Sequence, residues 1–91
     1  MIRLNCFLKV QPENKNKVVE TAKALVEASL KQDGCIAYDF FESTTRNDVL
    51  MFCETWRDQA ALDAHAASEA FIKGAGELSN YGELKIEKFI F

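Results

Sequence analysis

The chain has 91 residues, a formal charge of −3 and a pI near 5.1, which is one domain's worth of sequence with no room for a second core. Its 11 basic residues are scattered, and that excludes the clustered Lys and Arg of a nucleic-acid interface. No apolar run approaches the ~20 residues of a membrane span, and no basic-then-apolar leader opens the sequence. We therefore expect a cytoplasmic protein with neither nucleic acid nor membrane as partner.

The first element is a strand. From Ile2 to Val10 the residues alternate, with Ile2, Leu4, Cys6, Leu8 and Val10 on one face and Arg3, Asn5, Phe7 and Lys9 on the other. Pro12 ends it, and Glu13 or Asn14 opens a helix whose positive end favours the acidic Glu13. Val18, Val19, Ala22, Leu25, Val26 and Ser29 recur at helical spacing to about Gln32, where Asp33-Gly34 supplies a left-handed stop. Cys35 to Glu42, rich in aromatic residues, reads as a second strand. Ser43 to Asp48 is a polar turn, and Val49 to Trp56 completes a hairpin. Asp58 can cap a helix through Ala61, Leu62, His65 and Ala66. Ser68 can cap its continuation through Phe71, Ile72 and Ala75 to near Ser79, and Leu84 to Phe91 alternates again as a last strand.

The order β-α-β-β-α-β over residues 1–91 is that of a ferredoxin-like α+β domain, an antiparallel sheet with two helices on one face. A chain this short buries only roughly 60–65% of its unfolded surface. Yet 48% of its residues are hydrophobic and seven are Phe. Several strands are apolar on both sides: Tyr38 and Phe40 oppose Phe41, Met51 and Cys53 oppose Leu50 and Phe52, and Ile86 and Ile90 oppose Phe89 and Phe91. Helices cover one face only, so the other predicts a homodimer closed through the sheet. Cys6, Cys35 and Cys53 are odd in number and widely spaced, which suits free thiols in a reducing compartment. A single His without clustered ligands predicts no metal site.

Four segments carry a family resemblance: Asp33-Gly34-Cys35-Ile36-Ala37-Tyr38-Asp39, Phe52-Cys53-Glu54-Thr55-Trp56, Leu62-Asp63-Ala64-His65 and Ser68-Glu69-Ala70-Phe71. In that order the chain resembles the antibiotic biosynthesis monooxygenase domain family, and within it the small quinol-monooxygenase-like members. The resemblance implies a dimeric α+β barrel with a pocket between sheet and helices in each subunit. It also implies oxygenation of a quinol-like or polyketide aromatic with no bound cofactor. Other branches degrade heme or isomerise a phosphorylated signal. The heme-degrading branch uses an Asn on the first strand, a Trp on the second helix and a ligand His further along. Asn5 matches the Asn, His65 stands at the Trp position, and the ligand position falls near Ala75, which cannot bind iron, so heme degradation is disfavoured. The isomerase branch shares the His at His65, but no Gly-rich phosphate loop is present.

Oxygen reacts directly with an organic substrate that can become an electron-rich anion. The protein must then hold a flat ring, help remove a proton and exclude water. His65, the only His, is the candidate base, and Asn5 is the candidate partner for a phenolic oxygen. Tyr38, Phe40, Phe52, Trp56 and Phe71 are candidate pocket walls, with Glu54 beside them. Each has a structural alternative. His65 can fill space and bond a carbonyl, Asn5 can be a satisfied core amide, Trp56 can anchor a core or interface, and Glu54 can pair with a base or cap a backbone. The cysteines read as inert filler. The alternatives to an oxygenase are an isomerase of the same fold and a non-catalytic ligand-binding or regulatory dimer.

Overall fold

Strand β1 (Ile2–Val10) shows why the sheet has two unlike faces. Ile2, Leu4, Cys6, Leu8 and Val10 are all buried, while Arg3 and Lys9 between them are exposed. In the computed structural model, which describes residues 1–91, β1 is central in a four-stranded antiparallel sheet. The spatial order is β2 (Cys35–Glu42), β3 (Val49–Trp56), β1, β4 (Gly82–Ile90). Helices α1 (Lys15–Leu30), α2 (Gln59–Ala66) and α3 (Glu69–Ser79) complete the ferredoxin-like fold on the face carrying the even-numbered residues of β1.

The boundaries differ from the sequence reading in three places. A 3-10 turn over Pro12–Asn14 precedes α1, because Pro at its start fixes φ and donates no N–H, and the helix proper starts at Lys15. The second helical stretch is two helices. Ser68 is extended (φ −72°, ψ 149°), and its N–H and hydroxyl both donate to the His65 carbonyl, at 3.1 and 2.6 Å, which ends α2 there. The last strand begins two residues earlier than Leu84 and ends at Ile90. Both expected caps are formed: Asp58 accepts from the Ala61 N–H at 2.9 Å and Ser68 from the Phe71 N–H at 3.2 Å. Each cap contributes about 1 kcal/mol.

Turn α1–β2 is clamped to the end of β3. Gly34 takes φ 82°, a Cβ there would collide with Ala61, and its carbonyl accepts the Arg57 N–H at 2.8 Å. The Arg57 guanidinium adds a two-pronged pair to Asp33 at 3.2 and 3.3 Å. These contacts bring the residues after α1 over the start of α2.

The apolar exposure is divided between two surfaces. Phe41 and Phe89 are about half exposed on the helix-free face. The half-buried Met51 and Phe7 continue the row that starts at Phe41, whereas Phe89 lies opposite Arg3, four residues along β4 from the Lys85 that pairs with Phe7. Ile86 and Ile90 pair with Cys6 and Ile2, so they share the helix-ward face, but edge strand β4 extends past the helices and leaves them uncovered. No helix is long and apolar enough to cross a membrane.

Candidate active site

On β3 the helix-ward residues are Leu50, Phe52, Glu54 and Trp56, all buried. Glu54 lies opposite Leu4 on one side and Tyr38 on the other. Its carboxylate accepts the Trp56 indole N–H at 2.9 Å, and the Cys6 thiol lies 4.0 Å from its second oxygen. Burial pushes the Glu54 carboxyl up from the ordinary range, opposed first by the Trp56 indole and then by the Tyr38 hydroxyl. Burial and the nearby Glu54 charge also raise Tyr38, and they push the Cys6 thiol up to about 12, so Cys6 is no nucleophile at neutral pH.

His65 closes this cluster from α2. Its ring centroid lies 4.5 Å from Trp56, 4.9 Å from Phe71 and 5.4 Å from Tyr38, and only 2% of the residue is exposed. Nδ1 is 2.7 Å from the side-chain oxygen of Gln32, whereas Nε2 is buried with no partner. Burial alone holds the imidazole down at about 4, so it is neutral at pH 7. Beside it a groove of about 350 Å³ opens to solvent, lined by Gln32, Arg57, Ala61, Ala64, His65 and Ser68. A larger cleft, about 480 Å³, lies between Val10–Pro12, Asn47–Asp48 and Tyr81–Glu83, away from this cluster and without a buried titratable group.

The expected site residues therefore divide into three groups. His65, Trp56 and Tyr38 are in mutual contact, Phe71 meets the His65 ring, and Glu54 is bonded to Trp56. Phe52 and Phe40 stack on each other at 4.6 Å, with Phe52 reaching Tyr38 at 5.8 Å, and form an outer layer. Asn5 is apart: it pairs with Cys53 and Glu87 on the helix-free face, so the sheet separates it from His65, and the pairing of Asn5 with His65 in one site is corrected. Strand parity is the reason, since residue 5 has the phase of Arg3 and Phe7. Three contributors went unrecognised in the sequence reading. Gln32 reaches His65 across 33 positions, Ser29 is a fully buried hydroxyl beside the Tyr38 phenol, and Cys6 faces a carboxylate. Only Ser29 left a trace, as the polar member of the buried α1 stripe. No cluster of three or more His, Cys, Asp or Glu side chains is placed to hold a metal ion.

A four-stranded antiparallel βαββαβ sheet with its helices on one face and a buried polar–aromatic cluster beneath them defines a small ferredoxin-like α+β protein. The model of the family described as antibiotic biosynthesis monooxygenase matches residues 1–76, and the chain belongs to that family. A crystal structure from Bacteroides thetaiotaomicron, of a conserved protein of unknown function described as a possible oxidoreductase, superimposes with a TM-score of 0.97. It is 49% identical, over 99% of this chain and 96% of that one. The "Putative monooxygenase YcnE" of Bacillus subtilis is 32% identical over 78% of this chain and 75% of its own length. The uncharacterized protein sll1783 of Synechocystis is 34% identical over 89% of this chain, which spans only 58% of that protein.

Proposed function

We propose that the protein is a cofactor-independent monooxygenase that oxidises a quinol-like aromatic with molecular oxygen at His65. The observation that carries this reading is the unpartnered Nε2 of a buried, neutral His65 set among Trp56, Tyr38 and Phe71. A buried polar atom left without a partner costs about 1–3 kcal/mol. A hydroxyl reaching in from the adjacent groove would satisfy it. The groove wall includes Gln32, Arg57, Ala64, His65 and Ser68, and the sealed Trp56 and Tyr38 are not part of it. The substrate ring would therefore have to part the packing around His65 to reach Nε2.

The low basicity of His65 constrains the chemistry. A base near 4 facing a phenol near 10 would meet a barrier of about 8 kcal/mol to simple proton transfer, at 1.36 kcal/mol per unit. His65 accepts the proton as an electron leaves the ring for oxygen, because a phenol stripped of an electron is a far stronger acid. The resulting ring radical and reduced oxygen combine, and cleavage of the O–O bond follows. One oxygen atom enters the ring and the other leaves as water, so that quinol plus O2 gives hydroxyquinone plus H2O, with the substrate as the only reductant.

The row Phe41, Met51 and Phe7, with Phe89 further along β4, supports a homodimer closed through the helix-free face. The three free cysteines support residence in the reducing cytoplasm. The test is oxygen uptake by the metal-free protein with a panel of naphthoquinols, set against His65→Ala and an autoxidation control. Uptake above the control that is lost in the variant supports the reading. No uptake across the panel overturns it and moves the search to isomerisation or simple ligand binding.

A further inference from the structure

We propose that Gln32 is the positioning residue for His65: its side-chain carbonyl holds the ring proton on Nδ1 and so keeps Nε2 as the site's acceptor. This rests on the reading of His65 as the group that receives the substrate proton. An amide oxygen accepts and never donates. With the Gln32 amide turned as it is, Oε1 2.7 Å from His65 Nδ1, the matching tautomer carries its hydrogen on Nδ1. The flipped amide would reverse the roles, and histidine nitrogen spectra tell the two apart. In a neutral imidazole the other nitrogen is then a bare lone pair, and Nε2 is the ring atom that is buried and unpartnered.

The fold holds Gln32 to this task from both sides. Its N–H donates to the Ser29 carbonyl at 3.0 Å, and its carbonyl accepts the Cys35 N–H at 3.2 Å. The next residues are tied to β3 through Asp33–Arg57 and the Gly34 carbonyl. The amide therefore projects from a fixed turn onto a fixed helix, and its span of 33 positions joins the end of α1 to the end of α2. Without it the ring has no acceptor holding Nδ1–H. A proton moved to Nε2 would turn the acceptor into a donor and leave a substrate hydroxyl with no base.

The experiment reads the tautomer directly. Protein carrying 15N-labelled histidine is compared as wild type, Gln32→Leu and Gln32→Glu by long-range proton–nitrogen correlation at neutral pH. Thermal unfolding confirms that each variant is folded. The expected wild-type spectrum shows a protonated Nδ1 and a bare Nε2 at His65. Gln32→Leu, which removes the acceptor, should shift population to the Nε2-protonated form, and Gln32→Glu, which restores one, should return the proton to Nδ1. Where naphthoquinol-dependent oxygen uptake is present, kcat should fall by about 10²-fold in Gln32→Leu with KM little changed and recover in Gln32→Glu. A wild-type proton on Nε2, or a Gln32→Leu spectrum identical to wild type, would overturn the assignment. The spectra are taken on free protein, so an absence of oxygen uptake counts against the oxygenase reading and leaves the Gln32 result standing.

Discussion

The two faces of one sheet carry different kinds of polarity. Under the helices, Glu54, Tyr38, Trp56 and His65 are polar groups sealed into an apolar layer, and burial moves the titration of Glu54, Tyr38 and His65. On the helix-free face, Arg3, Asp39 and Glu87 are exposed and Asn5 and Cys53 half-buried, alternating along their strands with the helix-ward residues. The same strands build both faces, so the contrast comes from what covers them. A polar side chain on the open face is solvated at little cost, whereas one under the helices must be bonded or leave a stated deficit. His65 Nε2 is such a deficit under the helices, and the buried Thr55 Oγ1, opposite Arg3, is one on the other side. On the proposed reading it is His65 Nε2 that a substrate meets.

Breaking the covered cluster should have the largest effect. Trp56→Ala removes the fully buried side chain at its centre and orphans the Glu54 oxygen, so we expect a loss of about 3–5 kcal/mol in urea unfolding. The acid response comes next. His65 titrates near 6.5 when unfolded and about 4 when folded, so its contribution is complete above 6.5 and lost as the pH falls toward 4. The loss amounts to about 3 kcal/mol. Glu54, held above its ordinary value, acts with the opposite sign: its contribution is complete at low pH and declines as the pH rises through its folded value. Comparing His65→Gln with wild type isolates the His65 part, and the variant should lack that loss between pH 6.5 and 4 in unfolding curves.

The open face should behave differently. Phe41→Asp should change the stability of the folded protomer by under about 0.5 kcal/mol while converting a dimer to a monomer in analytical ultracentrifugation. Asn5→Ala should have the smallest effect, with naphthoquinol-dependent oxygen uptake changed less than about twofold, because the sheet stands between Asn5 and His65. A large loss in Asn5→Ala would erase the division between the faces.

What the sequence disclosed followed the range of the interaction. The β1 alternation, the Asp58 and Ser68 caps and the left-handed Gly34 are set by neighbours within a few positions, and all are formed. The aromatic partners of His65 were legible as residue types on the right elements, and the phase of β3 already placed Glu54 and Trp56 together. Asn5 was misplaced because its residue type was weighed above its phase, which the alternation of β1 already displayed. Gln32 was invisible for another reason: a polar residue at the end of a helix looks the same whether it faces water or a histidine 33 positions away. The break between α2 and α3 was half legible: Ser68 reads as a cap, but of a continuation, and that its extended backbone separates two helices is a tertiary choice.

The most direct measurement of the central claim needs no oxygen. A naphthoquinol and its dimethyl ether are each titrated into 15N-histidine-labelled protein under anaerobic conditions, following the His65 Nε2 resonance and the affinity together. The account predicts that the quinol moves Nε2 strongly and that the ether, with no hydroxyl to donate, binds at least tenfold more weakly and leaves Nε2 nearly unmoved. Equal affinities with an unmoved Nε2 would mean that His65 does not receive the hydroxyl, and the covered face would lose its claim to be the active site.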